Sequence, residues 1–231
     1  MPLFSYLPEE VTALILLFLV AITGLIRIAN RIRSLNQRIS FANEFFEKVE
    51  EYVKSGGRNI EVYSWLIHRS PKMQTSLGRI GIAGYRPPYA NYMLSNYQII
   101  LNTLPELRQA LEDTLFASQA HEYYMLLQET LLRYTGVMSD LLEPQWGYLK
   151  NPIVWLREGV QLVLLVPLLL LEWAGLITSS TVSKFSGNLI FSIFSGIVTI
   201  LGLLSAMITI VLGWEEFVHI VNELLKLIAI N

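Results

Sequence analysis

"GNLIFSIFSGIVTILGLLSAMITIVLG", residues 187–213, contains no charged side chain. Small residues return along it at Asn188, Ser192, Ser195, Thr199, Gly202, Ala206, Thr209 and Gly213, in steps of four and three. The uncharged run reaches back to Phe185 and so covers 29 residues. A bilayer core about 30 Å thick needs roughly 20 helical residues. Buried helices of soluble proteins show apolar runs of about 10–14. The stretch therefore reads as a transmembrane helix. Its small residues keep to one face under a heptad period.

Lipid tails are as apolar as Leu, so hydrophobicity does little to bring helices together in a bilayer. Close backbone approach and hydroxyl hydrogen bonds do it instead. The stripe of Ser192, Ser195, Thr199, Gly202, Ala206, Thr209 and Gly213 is thus expected to meet another helix or the water of a pore. Three spans are few to cover so long a face. A homo-oligomer, with cyclic symmetry its simplest form, is the expected completion.

Two further runs are nearly free of charge, Val11–Ile26 and Gly159–Leu176. Across the 231 residues, 53% are hydrophobic and 16% charged, against about a quarter charged in soluble domains. The expected fold class is all-α: an integral membrane protein with three transmembrane helices and a helical cytoplasmic domain between the first two. Helix 1 covers 8–28 and continues as a cytoplasmic helix to about 54. The cytoplasmic domain covers 29–157, helix 2 covers 158–177 and helix 3 covers 187–213. Residues 214–231, "WEEFVHIVNELLKLIAIN", form an amphipathic cytoplasmic tail. The first residues carry no Lys or Arg, so they lack the basic start of a cleaved signal, and helix 1 is expected to be retained.

Fifteen of the 17 basic residues fall between Arg27 and Arg157. Basic residues stay on the cytoplasmic side. The N-terminus is therefore expected outside an inner membrane and the C-terminus inside. Arg27, Arg31, Arg33 and Arg38 crowd the exit of helix 1, where anionic lipid headgroups are their expected partners. That position argues for lipid and against nucleic acid.

No Pro or Gly interrupts 27–55, and Gly56-Gly57 is a natural stop. Ile28, Ile32, Leu35, Ile39, Ala42, Phe46, Val49 and Val53 form a heptad-like seam, expected to pack within the cytoplasmic domain. Helices are expected at about 59–69, 72–77, 93–102, 104–116 and 118–142. Thr103 is the expected N-cap of one of them, with Pro105 in its first turn and Glu106 reaching back. No useful strand alternation appears. "SLGRIGIAGYRPPYANY", residues 76–92, reads as an aromatic loop. Its glycines match neither dinucleotide nor P-loop spacing. Tyr85, Arg86, Tyr89 and Tyr92 are its candidate contacts for a cytoplasmic protein partner.

Catalytic signatures are missing. There is no cysteine, His121-Glu122 is followed by Met125 where a zinc-binding His would stand, and no G-x-S-x-G occurs. No enzyme, cofactor or metal site is expected. Glu172 is the ionisable residue within a span. It stands about 21 Å up the helix from Glu158, and two readings remain open: a carboxylate reaching the outer headgroups, or an ion or proton site.

The segment Thr199-Ile-Leu-Gly202-Leu203-Leu-Ser-Ala206 looks like the third-span T-x-x-G-L-x-x-A of the MotA/TolQ/ExbB family of proton-driven motor subunits. The layout of spans and cytoplasmic domain is also similar to that family. The second span departs from its pattern, with "VPLLLLEWAGLI" in place of threonine and glycines. The resemblance implies that Thr199 offers a hydroxyl to a pore. The leading expectation is an oligomeric membrane protein that conducts or couples to an ion, its helical bundle a gate or docking platform. The alternative is a non-conducting scaffold or sensor that binds a cytoplasmic partner.

Overall fold

With no proline or glycine between Arg27 and Ser55, the first helix has nothing to stop it, and α1 runs unbroken over Glu9–Lys54. It ends where the sequence supplies two residues able to turn left-handed, Gly56 (φ 62°) and Gly57 (φ 75°). The Gly57 amide donates to the Tyr52 carbonyl at 3.2 Å, covering a carbonyl the helix leaves open.

The computed structural model describes residues 9–85, 91, 93–112 and 117–212. Seven α-helices and one two-stranded sheet lie among them. After α1 come α2 (Ile60–Leu77), a 3-10 turn (Gly78–Gly81), β1 (Ile82–Tyr85), β2 (Leu94–Gln98), α3 (Ile99–Glu112), α4 (Ala117–Tyr148), α5 (Pro152–Trp173), α6 (Ser179–Ser186) and α7 (Leu189–Leu212). The chain divides into two units: residues 32–144, and residues 1–31 with 145–231. The chain is mostly helical, as expected.

In the unit 32–144 a core of Ala42, Phe45, Val49 and Tyr52 from α1 packs with Leu66 and Met73 of α2, Leu104 and Leu107 of α3, and Leu127 and Leu131 of α4. From Leu35 onward the seam of α1 thus packs inside the unit 32–144, whereas Ile28 is buried in the other unit. The seam differs from the expected heptad at two places. Phe45 and Tyr52 are fully buried, where Phe46 and Val53 were expected, and the latter two are half-buried at the edge. One residue is about 100° of rotation, which turns Phe45 and Tyr52 into the core shared with α2, α3 and α4 and leaves Phe46 and Val53 at its rim. Phe46 stacks on Tyr124, centroids 6.4 Å apart.

The sequence suggested a break between two helices at Pro71, but α2 is continuous. Proline removes one amide and frees the carbonyl four residues back. Here the Ser70 hydroxyl donates to that Ile67 carbonyl at 2.8 Å. Asn59 caps the start of α2, its side chain accepting from the Val62 amide at 3.2 Å.

The expected helix over 93–102 is instead β2 followed by the start of α3. β2 pairs antiparallel with β1, Ile82 opposite Gln98 and Ala83 opposite Tyr97, with an irregularity before Tyr85 and Leu94. A buried side chain of α2 sets this geometry. Gln74 donates from Nε2 to the Gly81 carbonyl at 2.8 Å and accepts the Ile100 amide on Oε1 at 3.0 Å. The second contact caps α3 from outside its own sequence, so α3 begins at Ile99. Thr103 and Pro105 consequently fall inside the helix. Glu106 accepts the Tyr97 hydroxyl at 2.9 Å in place of an N-cap amide.

In the other unit, α1 and α5 are each long and apolar enough to cross a membrane. A third crossing is counted when α6 and α7, bent by 62°, are taken together. Large apolar side chains line the outside of α5 and α7, among them Leu170, Ile190, Ile197 and Leu201.

Candidate functional site

In the unit of residues 1–31 and 145–231, polar groups gather on α5, on the stretch from Trp155 to Gln161. Asn151 starts this helix by accepting the Ile153 amide at 3.0 Å, with Pro152 in the first turn. The Trp155 indole then donates back to the Tyr148 and Leu149 carbonyls, at 3.1 and 3.2 Å. These bonds fix the register of the first two turns.

Two glycines let α1 and α5 touch backbone to backbone. A Cβ on Gly24 would stand 1.8 Å from the Trp155 carbonyl oxygen, and one on Gly159 would stand 1.9 Å from that of Val20. No side chain fits at either place. This is the small-residue packing expected of spans, but between the first and second helices.

Beside the crossing lies Glu158, whose side chain is 6% exposed. Its carboxylate faces Arg27 at 3.6 Å and Arg31 at 3.4 Å through Oε2, and Arg157 at 3.7 Å through Oε1. Arg27 also reaches the Glu158 backbone carbonyl at 3.4 Å. Three guanidinium groups thus surround one carboxylate. Arg157 lies over the Tyr148 ring at 5.9 Å, and its Nε is buried without a hydrogen-bond partner. A buried carboxylate needs such partners to remain charged.

One turn on, Gln161 meets the stripe of α7. Its Nε2 donates to the Ser195 hydroxyl at 3.2 Å. Ser195 and Thr199 are buried, 0% and 4% exposed. The Ser195 hydroxyl donates to the Ser192 carbonyl at 2.9 Å, and the Thr199 hydroxyl to the Ser195 carbonyl at 2.7 Å. The middle of the stripe is thus covered by α5 of the same chain. Ser192 is exposed, and Gly202 is half-buried with open space where a Cβ would stand. Ala206 and Thr209 belong to α7, but their side chains lie outside the described residues, as does Gly213.

Glu172 occupies the last turn of α5 and accepts a hydrogen bond from the Ser179 hydroxyl at the start of α6. It stands away from the Glu158 end of the helix and from Gln161. Arg33 and Arg38 are exposed on α1, in the other unit. Of the four loop residues singled out as a partner contact, Tyr85 ends β1, whereas Arg86, Tyr89 and Tyr92 lie outside the described residues, as does the tail 214–231.

The structure therefore joins Arg27 with Arg31, and Ser195 with Thr199, but through partners that sequence reasoning passed over: Glu158, Gly24, Gly159 and Gln161. One signal was available. Glu158 and Gln161 are the last polar residues before ten apolar ones, and polar groups at a span edge face protein more often than lipid. Among the described residues no group of three His, Asp or Glu side chains could hold a metal ion. The arrangement positions charges and locks helices. It presents no nucleophile paired with a base. No family model matches the chain, and no curated protein or solved structure matches it either.

Proposed function

We propose that the chain is a non-conducting multi-pass membrane protein of the inner membrane, its N-terminus outside, that anchors a cytoplasmic helical domain as a scaffold or sensor for a protein partner. One observation carries this reading: the Ser195–Thr199 part of the α7 stripe is already occupied by α5 through Gln161. A hydroxyl that bonds its own helix and is covered by a neighbouring span has no need of pore water. Glu172, at the end of α5 with Ser179 for a partner, supports the outer-headgroup reading over an ion site. The basic residues of 27–157 support the orientation through the positive-inside bias.

The rival reading, an ion-conducting homo-oligomer, draws support from the uncovered remainder of the stripe. Exposed Ser192 and open space at Gly202 leave a face that a second copy could fill. Ion leakage from liposomes carrying the purified protein separates the two. The scaffold reading expects the flux of empty liposomes, in the wild type and in Thr199→Leu alike. Flux above that level in the wild type, abolished by Thr199→Leu, would replace it with the conducting reading.

A further inference from the structure

A groove of about 340 Å³ opens between α1 and α2 in the unit 32–144. From α1 it is lined by Ser34, Gln37, Arg38 and Phe41, and from α2 by Lys72, Thr75 and Ser76. Two cations enter this lining and no carboxylate does. Three other cations of the unit are matched on their own helices, Lys48 with Glu51, Lys54 with Glu50 and Arg108 with Glu112, while Arg33, Arg58, Arg69, Arg79 and Arg133 stand apart from this groove. Arg38 and Lys72 have no such carboxylate among the described residues. The Lys72 ammonium instead lies 4.6 Å from the centroid of the Phe41 ring, which restrains it over the groove without neutralising it. The other groups lining the groove are polar and uncharged. Thr75 and Ser76 turn their hydroxyl hydrogens to the Pro71 and Lys72 carbonyls, both at 2.8 Å. The Ser34 hydroxyl and the Gln37 amide add two further donors to the lining.

We propose that this groove binds a phosphate monoester, with Arg38 and Lys72 as its paired cations and Ser34 and Gln37 as neutral donors. A tetrahedral dianion matches the set in charge, each of its three terminal oxygens can accept more than one of the hydrogen bonds these four groups donate, and arginine with lysine is the usual pairing of fork and point charge for phosphate. A carboxylate ligand would leave one cation unmatched. Arg38 follows the apolar stretch 11–26 by twelve residues in sequence, so the phosphate comes either from an anionic lipid headgroup or from a soluble phosphorylated molecule. The assignment is independent of whether the protein conducts ions.

The test uses the full-length protein in nanodiscs. In phosphatidylcholine alone, inorganic phosphate is titrated by calorimetry. In a second set, phosphatidic acid is added to the bilayer, and its retention by the protein is read by native mass spectrometry. Binding in the first set assigns a soluble phosphate, and retention in the second alone assigns a headgroup. In either case Arg38→Gln and Lys72→Gln each weaken binding by about tenfold, the worth of one charge-assisted hydrogen bond. Lys72→Arg retains it, and Arg133→Gln, on an exposed residue of α4 outside the groove, binds as the wild type does. Absence of binding to both probes overturns the proposal. So does equal binding by the wild type and the Arg38→Gln/Lys72→Gln double variant, with circular dichroism confirming that each remains helical.

Discussion

Gly24 and Gly159 meet across the contact between α1 and α5: a Cβ on Gly24 would lie 2.7 Å from the Gly159 amide nitrogen. Each glycine also abuts a carbonyl of the facing helix, Gly24 that of Trp155 and Gly159 that of Val20. The contact is reciprocal, so one added methyl at either position displaces the same pair of backbones.

Gly24→Ala and Gly159→Ala should therefore each destabilise the unit of residues 1–31 and 145–231 by about 1–3 kcal/mol, the cost of overpacking a tight contact. Because both break one contact, the double variant should cost little more than the worse single variant. Thermal unfolding in detergent measures this. Full additivity of the two costs would show that the helices do not meet here. A Gly196→Ala control, at a position with open space around it, should be neutral.

Glu158→Gln keeps the shape of the side chain and removes the charge that faces three arginines. Its contacts are long, between 3.4 and 3.7 Å, so the expected loss is near the lower end for charged hydrogen bonds, about 1.5 kcal/mol. Arg31→Gln should cost less than about 1 kcal/mol, since its side chain is 39% exposed and water can replace the partner. Unfolding midpoints of the two variants in one detergent rank them. An Arg31→Gln loss larger than that of Glu158→Gln would show that the carboxylate is not the hub of the cluster.

The parts of the fold legible in the sequence are those encoded locally. Helix length, the stop at Gly56-Gly57 and the apolar stretches follow from runs of adjacent residues, and the small-residue period of α7 pointed to Ser195 and Thr199. What stayed hidden depends on a partner far along the chain. Gly24 and Gly159 are single glycines on separate helices, with no spacing between them to read. Gln161 looks like any polar residue at the edge of a span until α7 is beside it. β1 and β2 are too short to show alternation, and the place where β2 gives way to α3 is set by Gln74, on α2. Pro71 misled for a local reason. Its freed carbonyl is satisfied by the residue just before it, Ser70, which makes a helix break unnecessary.

Gln74 joins the 3-10 turn to the start of α3, and both its partners are backbone groups. Gln74→Leu preserves much of the volume but strips the Gly81 carbonyl and the Ile100 amide of their partners. Each orphaned group costs about 1–3 kcal/mol, so the variant should lose at least about 2 kcal/mol. Hydrogen exchange localises the effect: amides at the start of α3 and in β1 should lose protection before those of α4. Uniform loss across the unit would mean that Gln74 only fills space. Gln74→Glu, which keeps the acceptor, should retain protection at Ile100 while losing the bond to Gly81.

Tyr134 is buried in the core of α1 and α4, its hydroxyl close to the Arg38 guanidinium but outside hydrogen-bond geometry. Burial pushes this phenol above its ordinary value, with Arg38 pulling the other way, and burial raises Tyr52 likewise. A raised value in the folded state means that the fold favours the protonated phenol. That contribution is complete below the unfolded tyrosine's value of about 10 and is lost as pH rises through the folded value. Tyr134→Phe removes a hydroxyl without a partner, so near neutral pH the variant should match or exceed the wild type, within about 1 kcal/mol. Above about pH 10 it should lose stability less steeply than the wild type, because one buried phenol no longer has to ionise. Thermal midpoints across that range, with absorbance at the phenolate band, follow both effects. Parallel alkaline slopes in the two proteins would show that Tyr134 ionises as freely folded as unfolded, and a large loss at neutral pH would show that its hydroxyl has a partner after all.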